Sequence, residues 1–286
     1  MSAIDTDAFT AEVLQRLDGT PDPRLRELLS AAIRHLHAFA REVSLRPGEW
    51  RRGIEFLTAT GRQCTSEHQE FVLLSDVLGL STLMNLLEDA RAQEQATAAS
   101  VLGPLYREHP PQLALGASVV RPRADRDVAG REVVMYGCVR GAAGEAIAGA
   151  TLDIWLTDED GYYDLQAHGP EVMDLRGRLR ADAAGRYWFR TTLPKGYSIP
   201  MDGPVGAMVR ATRQAGMRPA HIHAWVRAPG CRDLVTALYF RGDPYIERDA
   251  AFGVRPELII EVLEPAADSP IPALARIPYD FRLAPA

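Results

Sequence analysis

The chain has 286 residues and a formal net charge of −6, with 47% apolar and 24% charged residues. This composition is typical of a globular protein and excludes a disordered, collagen-like or long coiled-coil chain. No apolar run approaches the roughly 18 residues that a membrane helix needs, so we expect no membrane insertion. The acidic balance argues against nucleic-acid binding. The acidic start of the sequence is unlike a secretory signal, which favours a cytoplasmic location.

The chain has three cysteines, Cys64, Cys138 and Cys231, and none of them forms a C-x-x-C motif. An odd and sparse set of cysteines argues against a disulfide framework and against a structural zinc site. We therefore expect three reduced thiols.

Glycine and proline are scarce in the first hundred residues, which hold 5 of the 23 glycines and 3 of the 20 prolines. Because both residues mark turns, this predicts a helical domain over residues 1–100 and a domain of strands and loops over residues 101–286. Apolar residues recur at three- and four-residue spacing in five segments of the first domain, which begin near Thr6, Asp22, Glu49, Ser66 and Leu80. They are more numerous than a small bundle needs, so we expect some to face the second domain or another subunit.

The second domain is predicted to consist of short strands separated by glycine, proline and aspartate turns. The clearest segments are residues 132–139, 150–156, 186–191, 221–226, 234–240 and 258–262. No long helical pattern lies between them, which favours antiparallel sheets packed face to face. The predicted fold class is therefore α+β, with an N-terminal all-helical domain followed by an antiparallel β-sandwich.

The most informative segment of the second domain contains a His-x-His pair, His221 and His223. In a strand, residues i and i+2 point to the same face, so both imidazoles can aim at one metal ion. No third histidine and no thiolate cluster has a matching spacing, which leaves tyrosine as the source of further ligands. The candidates lie in two glycine-containing turns, one with Tyr162 and Tyr163 and one with Tyr197.

A phenol has an ordinary pKa of about 10, so only a strongly charged cation such as Fe(III) holds it ionised at neutral pH. Two phenolates and two neutral imidazoles would leave a ferric centre with a small positive charge. This donor set suits Fe(III) and disfavours zinc. Spacing alone does not decide between Tyr162 and Tyr163, and a core position remains the alternative for each tyrosine.

Together, these motifs resemble those of the intradiol ring-cleaving catechol dioxygenases, a family of ferric non-haem enzymes. The resemblance runs over most of the chain, through residues 71–81, 102–106, 160–164, 197–206 and 218–223. Within the family, the Ser-Asp-Val-Leu-Gly-Leu-Ser segment at 75–81 and residues 163–166, 241–245 and 252–254 are most similar to hydroxyquinol (1,2,4-trihydroxybenzene) 1,2-dioxygenases.

The resemblance implies that Tyr163, Tyr197, His221 and His223 bind Fe(III), with Tyr163 chosen over its neighbour by the family pattern. It also implies that Tyr197 is displaced and takes a proton from the bound diol. Arg218 would stabilise the negative charge that develops on the reacting ring, since a guanidinium stays charged.

The resemblance also places the substrate ring in a pocket lined by Leu80, Gly103, Pro104, Leu105, Ile199, Pro200, Arg218 and Ala237. Ala237 departs from the family pattern, because many relatives have a polar glutamine or histidine in this strand. A methyl group cannot form a hydrogen bond, so the departure leaves the identity of the ring open more than the type of reaction.

The implied reaction opens an aromatic diol or triol between its vicinal hydroxyls with O₂ and needs no organic cofactor. Hydroxyquinol would give 3-hydroxy-cis,cis-muconate, the enol form of maleylacetate; the alternative substrates, catechol and chlorocatechols, would give a cis,cis-muconate. The resemblance further implies a homodimer formed through the helical domain, where relatives sometimes bind a phospholipid. Two other classes stay open, a cupin-like metalloenzyme, which usually adds a carboxylate and a third histidine, and a non-catalytic β-sandwich binding module.

Overall fold

The computed structural model describes residues 5–92, 96–122 and 132–286. Its contacts divide the chain into two compact units, one ending at Thr58 and one beginning at Ala59. Cys64, Cys138 and Cys231 are free thiols.

Five helices form the N-terminal region, as the apolar spacing predicts. They are α1 (Thr6–Gln15), α2 (Pro23–Glu42), α3 (Pro47–Gln63), α4 (Glu70–Val77) and α5 (Leu80–Ala92). Among the described residues, no single helix has the length and apolar composition to cross a membrane. The helical segments Glu70–Val77 and Leu80–Arg91 meet this criterion only when taken together, and they are bent by 72° relative to each other.

Local hydrogen bonds set the beginnings of these helices. Asp5 caps α1, because its carboxylate accepts the backbone N–H groups of residues 7 and 8. Asp22 caps α2 in the same way, with Pro23 in the first turn. Helix α4 begins four residues later than the predicted Ser66, because the Thr65 hydroxyl accepts the backbone N–H groups of residues 67 and 68 and closes a turn first.

Helix α2 has an exposed apolar face, and none of its residues is buried. The large apolar side chains exposed on it are Leu25, Leu28, Leu29, Leu36 and Phe39. An apolar face of this kind is typical of a surface that binds another protein surface.

Eleven strands lie in the described part of the second unit. They are β1 (Glu132–Gly141), β2 (Thr151–Leu156), β3 (Arg176–Arg180), β4 (Arg186–Thr192), β5 (Tyr197–Ser198), β6 (Met217–Arg218), β7 (His221–Arg227), β8 (Leu234–Phe240), β9 (Ile259–Ile260), β10 (Ala275–Pro278) and β11 (Phe281–Leu283). Two helices interrupt them, α6 (Asp164–His168) and α7 (Pro204–Ala211). The helical region followed by a mostly sheet domain confirms the α+β class.

The strands form one sheet in the order β3-β2-β7-β8-β9, a second sheet in which β1 pairs with β4, β10 and β11, and a short β5-β6 ladder. The prediction of purely antiparallel sheets is wrong, because β10 and β11 pair with β1, and β9 with β8, in parallel. These three strands have two to four residues. A segment this short carries no readable alternation of apolar and polar residues, and its direction depends on the path of the preceding loop.

The core of the second unit takes alternate residues from strands of both sheets. Leu152 and Ile154 of β2 and Met135 and Phe189 of β1 and β4 are at most 1% exposed and belong to one apolar cluster. Strand β7 contributes residues 222, 224 and 226 to the same cluster. Side chains alternate along a strand, so the two histidines of β7 lie on the opposite face of this sheet.

Candidate metal centre

The two histidines of β7 bring one nitrogen each to the same point. Nε2 of His221 lies 3.0 Å from Nε2 of His223. On the other side of the first ring, Nδ1 of His221 lies 2.7 Å from the carbonyl oxygen of Pro219, which can only accept a hydrogen bond. Nδ1 therefore carries the proton, and Nε2 keeps the lone pair that binds a metal ion.

Tyr163 follows a tight turn after β2. The Asp158 carboxylate accepts the backbone N–H groups of Asp160 and Tyr162, and Gly161 has a φ of +89°, which favours glycine. The turn leads into α6, where the backbone N–H of Tyr163 donates to the side chain of residue 166. The turn exposes 53% of Tyr162, whereas Tyr163 is buried.

Tyr197 is positioned by the β5-β6 ladder, in which it pairs directly with Arg218. The segment that follows Arg218 runs straight into β7, so the same stretch of chain positions the guanidinium and both imidazoles. The ring of Tyr197 meets that of Tyr163 edge-on, at a centroid distance of 5.3 Å.

Four donor atoms thus converge on one volume. Oη of Tyr163 lies 3.2 Å from Oη of Tyr197 and 3.5 Å from Nε2 of His221. Donors bound to one ion at about 2.0–2.1 Å must lie at separations of this size from one another. The described residues contain no group of three or more His, Cys, Asp or Glu side chains that could hold a metal ion, so a metal centre here needs the phenols.

Burial shifts the pKa of every donor toward its neutral form. Burial and the nearby charge of Arg218 lower the pKa of His221 to about 3, and burial lowers that of His223 well below its usual value. Both imidazoles are therefore neutral at pH 7, as metal ligands must be. Burial raises the pKa values of Tyr163 and Tyr197 above the ordinary value of a phenol, and the charge of Arg218 opposes the shift in both.

This donor set fits Fe(III) better than a softer or less charged ion. Buried phenols with raised pKa values stay protonated unless a strongly charged cation replaces the protons. Two phenolates and two neutral imidazoles give the metal ion two negative charges and four hard or borderline donors, which suits Fe(III). Zinc prefers sets of thiolates and histidines instead.

Buried groups around the donors restrict their movement. The indole of Trp155 stacks on the His223 ring at a centroid distance of 4.6 Å and an interplanar angle of 5°. The Asp164 carboxylate, next to Tyr163 in the chain, accepts hydrogen bonds from Arg107 at 3.0 Å and Arg176 at 2.7 Å. The Arg176 guanidinium also lies 5.7 Å from the centre of the Tyr163 ring.

A narrow pocket adjoins the donor atoms. Its volume is about 10 Å³, the room that about one water molecule needs. Of the predicted substrate contacts, Pro104, Leu105, Ile199, Pro200 and Arg218 line it.

Three predicted contacts lie elsewhere. Leu80 is 52% exposed at the start of α5 and is not among the residues that line the narrow pocket. A side chain on Gly103 would lie 3.7 Å from Nε2 of His223, so this glycine borders the donor atoms rather than the pocket. Ala237 is completely buried and faces His223 across the β7-β8 ladder.

The pocket also contains residues that the sequence reasoning missed, Leu73, Asp76, Val77 and Ala251. The first three are spaced i, i+3 and i+4, so they share one face of α4. Helical spacing within the 71–81 segment could therefore have pointed to them. Asp76 is the unusual one, because it is 2% exposed and its Oδ1 has no hydrogen-bond partner in the described part of the chain.

Comparison with known proteins identifies the family of the chain. A family model described as "Dioxygenase" matches residues 101–285, and one described as "Catechol dioxygenase N terminus" matches residues 22–96. The chain belongs to the intradiol ring-cleavage dioxygenase family, as its motifs indicate.

Several of its relatives are hydroxyquinol dioxygenases. The chain is 44% identical to the 6-chlorohydroxyquinol 1,2-dioxygenase of Cupriavidus pinatubonensis, over 91% of this chain and 92% of that protein. It is 40% identical to the hydroxyquinol 1,2-dioxygenase of Rhodococcus opacus, over 100% and 99%. The solved structure of hydroxyquinol 1,2-dioxygenase from Pseudomonas putida superposes with a TM-score of 0.83 at 35% identity and covers 98% of this chain and 99% of that one.

Proposed function

We propose that this protein is an Fe(III)-dependent intradiol dioxygenase that opens the ring of hydroxyquinol between its vicinal hydroxyls with O₂ and forms 3-hydroxy-cis,cis-muconate. The observation that carries the proposal is the convergence of two phenol oxygens and two imidazole nitrogens, each of which lies 3.0–3.5 Å from at least one of the others. The hydroxyquinol dioxygenases among its relatives support the choice of substrate.

Tyr163, Tyr197, His221 and His223 would hold the ferric ion. When bound, the ion would supply a Lewis-acid centre for the vicinal hydroxyls of the substrate ring. The protein's part is to present four donors at fixed positions and to keep bulk water out, since all four side chains are buried.

Tyr197 is the donor we propose to move during the reaction. The pocket has room for about one water molecule, so an aromatic ring enters only if a side chain that lines it is displaced. Tyr197 lines the pocket and belongs to the two-residue strand β5, whereas Tyr163 is held between the 158–162 turn and α6. Once displaced, Oη of Tyr197 takes a proton from one diol hydroxyl.

Arg218 is proposed to stabilise the negative charge that develops on the reacting ring. Its guanidinium is 3% exposed, lines the pocket and places Nη1 3.4 Å from Nε2 of His221. In a buried site of low dielectric, a fixed positive charge stabilises a nearby negative charge far more than it would in water.

Asp76 supports a triol over a diol as the substrate. Asp76 lines an otherwise mostly apolar pocket, and its buried Oδ1 has no hydrogen-bond partner among the described residues, which is unfavourable for a polar atom. A third ring hydroxyl would satisfy this oxygen, whereas catechol offers no donor at the corresponding position. A site built around a substrate hydroxyl discriminates strongly against the analogue that lacks it.

The proposal is tested by turnover and by colour. The iron-loaded protein should be red, because tyrosinate–Fe(III) charge transfer absorbs visible light, and its band should shift when a diol is added without O₂. We expect kcat/KM to rank hydroxyquinol above catechol and chlorocatechols. Catechol ahead of hydroxyquinol would reassign the substrate, and a pale protein without ring cleavage would instead favour a cupin-like site or a non-catalytic module.

We further propose that the domain of residues 1–100 forms a homodimer, that residues 101–286 form the catalytic domain, and that the enzyme works in the cytoplasm. The support for a dimer is the exposed apolar face of α2, together with the exposed Trp50, Ile54 and Leu57 of α3. Sedimentation that gives twice the chain mass would agree with it. A bound phospholipid and the absence of nucleic-acid binding stay predictions.

A further inference from the structure

We propose that Asp249, Tyr239, Ser100 and Gly253 form a closed hydrogen-bond network that positions Arg218 and directs its Nη1 at the metal centre. Its catalytic consequence rests on the proposed function, in which Arg218 acts on the reacting ring. The four are positioning residues, since they act through the guanidinium and not on the substrate.

Asp249 binds two edges of the guanidinium at once. Nε of Arg218 donates to Oδ1 at 2.9 Å, and Nη2 donates to Oδ2 at 3.3 Å. The carboxylate also accepts the backbone N–H of Gly253 at 2.9 Å and that of Ala251 at 3.2 Å. With four donors around it, the carboxylate of Asp249 is fixed in its plane, and a planar bidentate pair fixes the plane of the guanidinium too.

A second series of hydrogen bonds begins at Nη2 of Arg218 and ends at Gly253, whose backbone N–H binds Asp249. Nη2 of Arg218 donates to Oη of Tyr239 at 3.0 Å. Oγ of Ser100 donates to the carbonyl of Gly253 at 3.1 Å, so the 3.0 Å bond between Ser100 and Tyr239 must take its proton from the phenol. Every direction in the chain Arg218–Tyr239–Ser100–Gly253 is therefore determined, and the network closes at the loop that Asp249 holds.

Gly253 makes room for this arrangement. A Cβ atom at this position would lie 2.6 Å from Oη of Tyr239, 2.9 Å from Oγ of Ser100 and 3.2 Å from Nη2 of Arg218. Two of these distances are shorter than real Cβ contacts, and the atoms belong to side chains that are all nearly fully buried. Any other residue would push the network apart.

The network uses two of the three guanidinium nitrogens and leaves Nη1 for the site. Nη1 lies 3.4 Å from Nε2 of His221, on the side of the pocket. An arginine that is free to rotate would spread its charge over several positions, and a displacement of about 1 Å can cost about 100-fold in rate. The hydrogen-bond network therefore fixes the direction of Nη1 in addition to neutralising a buried charge.

The alternative is that the Arg218–Asp249 pair only stabilises the fold. Asp153 provides a matched control, because it too is fully buried and binds two guanidinium groups, those of Arg178 and Arg227. In Asp249→Asn, the amide NH₂ replaces one carboxylate oxygen. In place of Oδ2 it faces Nη2 of Arg218 and the backbone N–H of Gly253, and in place of Oδ1 it faces Nε of Arg218 and the backbone N–H of Ala251, so donors meet donors in either orientation.

The experiment compares Asp249→Asn with Asp153→Asn by steady-state kinetics, by the visible band of the iron-loaded enzyme and by crystal structures of the iron-free proteins. For Asp249→Asn we expect kcat to fall about 10- to 100-fold with KM within about threefold of the wild type. Its visible band should be unchanged, and Nη1 of Arg218 should move away from His221. Asp153→Asn should lose thermal stability yet keep kcat within about twofold and leave Arg218 in place.

A second pair of variants uses glycine. Gly253→Ala should lower kcat as Asp249→Asn does, whereas Gly53→Ala, which places its Cβ in open space on α3, should not. Unmoved Arg218 in the Asp249→Asn crystal, or equal losses of kcat in both aspartate variants, would overturn the network. If the iron-loaded wild type cleaves no diol, the proposed function fails, and the crystal structures still decide whether the network positions Arg218.

Discussion

The substitution Asp76→Asn tests two effects of this buried carboxyl. One is the free energy that its charge costs the folded protein, and the other is its proposed hydrogen bond to the substrate. Burial raises the pKa of Asp76 from 3.8 to about 6, although a hydrogen bond from Ser81 and the charge of Arg218 act in the opposite direction. Between these two values the folded chain keeps a proton that the unfolded chain has lost. The free energy of unfolding therefore falls as the pH rises from about 4 to about 6, and the loss is complete above that window.

The size of the effect follows from the shift. About two pKa units at about 1.4 kcal/mol per unit make the ionised carboxyl cost the folded state about 3 kcal/mol at pH 7.5. At pH 4.5 most of the folded protein is protonated at this site, and the cost falls to about 1 kcal/mol. Asparagine has nearly the same shape and no charge, so the variant should escape the cost at both pH values.

Thermal unfolding of the iron-free proteins measures this difference. At about 2 °C per kcal/mol for a chain of this size, Asp76→Asn should melt roughly 6 °C above the wild type at pH 7.5 and roughly 2 °C above it at pH 4.5. The control is Asp182→Asn, because hydrogen bonds from the backbone and side chain of Arg186 lower the pKa of Asp182. The Asp182 variant should lose stability at pH 7.5 and lose less at low pH.

Asp76→Asn should also lose part of its preference for hydroxyquinol over catechol. An amide oxygen is a weaker acceptor than a carboxylate, so the ratio of kcat/KM for hydroxyquinol to that for catechol should fall about fivefold to tenfold. A variant that melts below the wild type at pH 7.5, or that gains equally at both pH values, would refute the reasoning on the charge. An unchanged substrate ratio would refute the contact with the third hydroxyl.

Two further predictions concern Tyr163 and its support. Tyr163→Phe removes a donor and should abolish the visible band and weaken iron binding, while Tyr162→Phe, at an exposed position, should retain both; an equal effect of the two would contradict the choice of ligand. Asp164→Asn leaves two buried guanidinium groups without their carboxylate, so urea denaturation should show a loss of about 3–5 kcal/mol. A loss below about 1 kcal/mol would mean that these charges are solvated, as exposed ion pairs are.

The parts of the fold that the sequence predicts are those where local pattern and burial agree. The helical segments repeat apolar residues over several turns, and the longer strands alternate over six or more residues. The direction of β9, β10 and β11 could not be predicted, because strands of two to four residues contain too few side chains to show a period. Their pairing depends on contacts between residues far apart in the chain.

The residues of the candidate site also differ in how far the local sequence predicts their position. Strand alternation alone places His221 and His223 on one face. Tyr163 and Tyr197 lie 34 residues apart on different elements; the local sequence offered them only as candidates beside Tyr162, and the family pattern made the choice. Asp76 looks like an ordinary charged residue of a helix until the structure shows what covers it. Nothing in the local sequence around Asp249 indicates that it binds a guanidinium 31 residues away.

The binding of one ferric ion by four buried donors is tested by a crystal of the iron-loaded protein measured at the iron absorption edge. We expect a single anomalous peak about 2.0–2.3 Å from Oη of Tyr163, Oη of Tyr197 and the Nε2 atoms of His221 and His223. A peak at other residues, or fully loaded crystals in which these four atoms bind no iron, would contradict it.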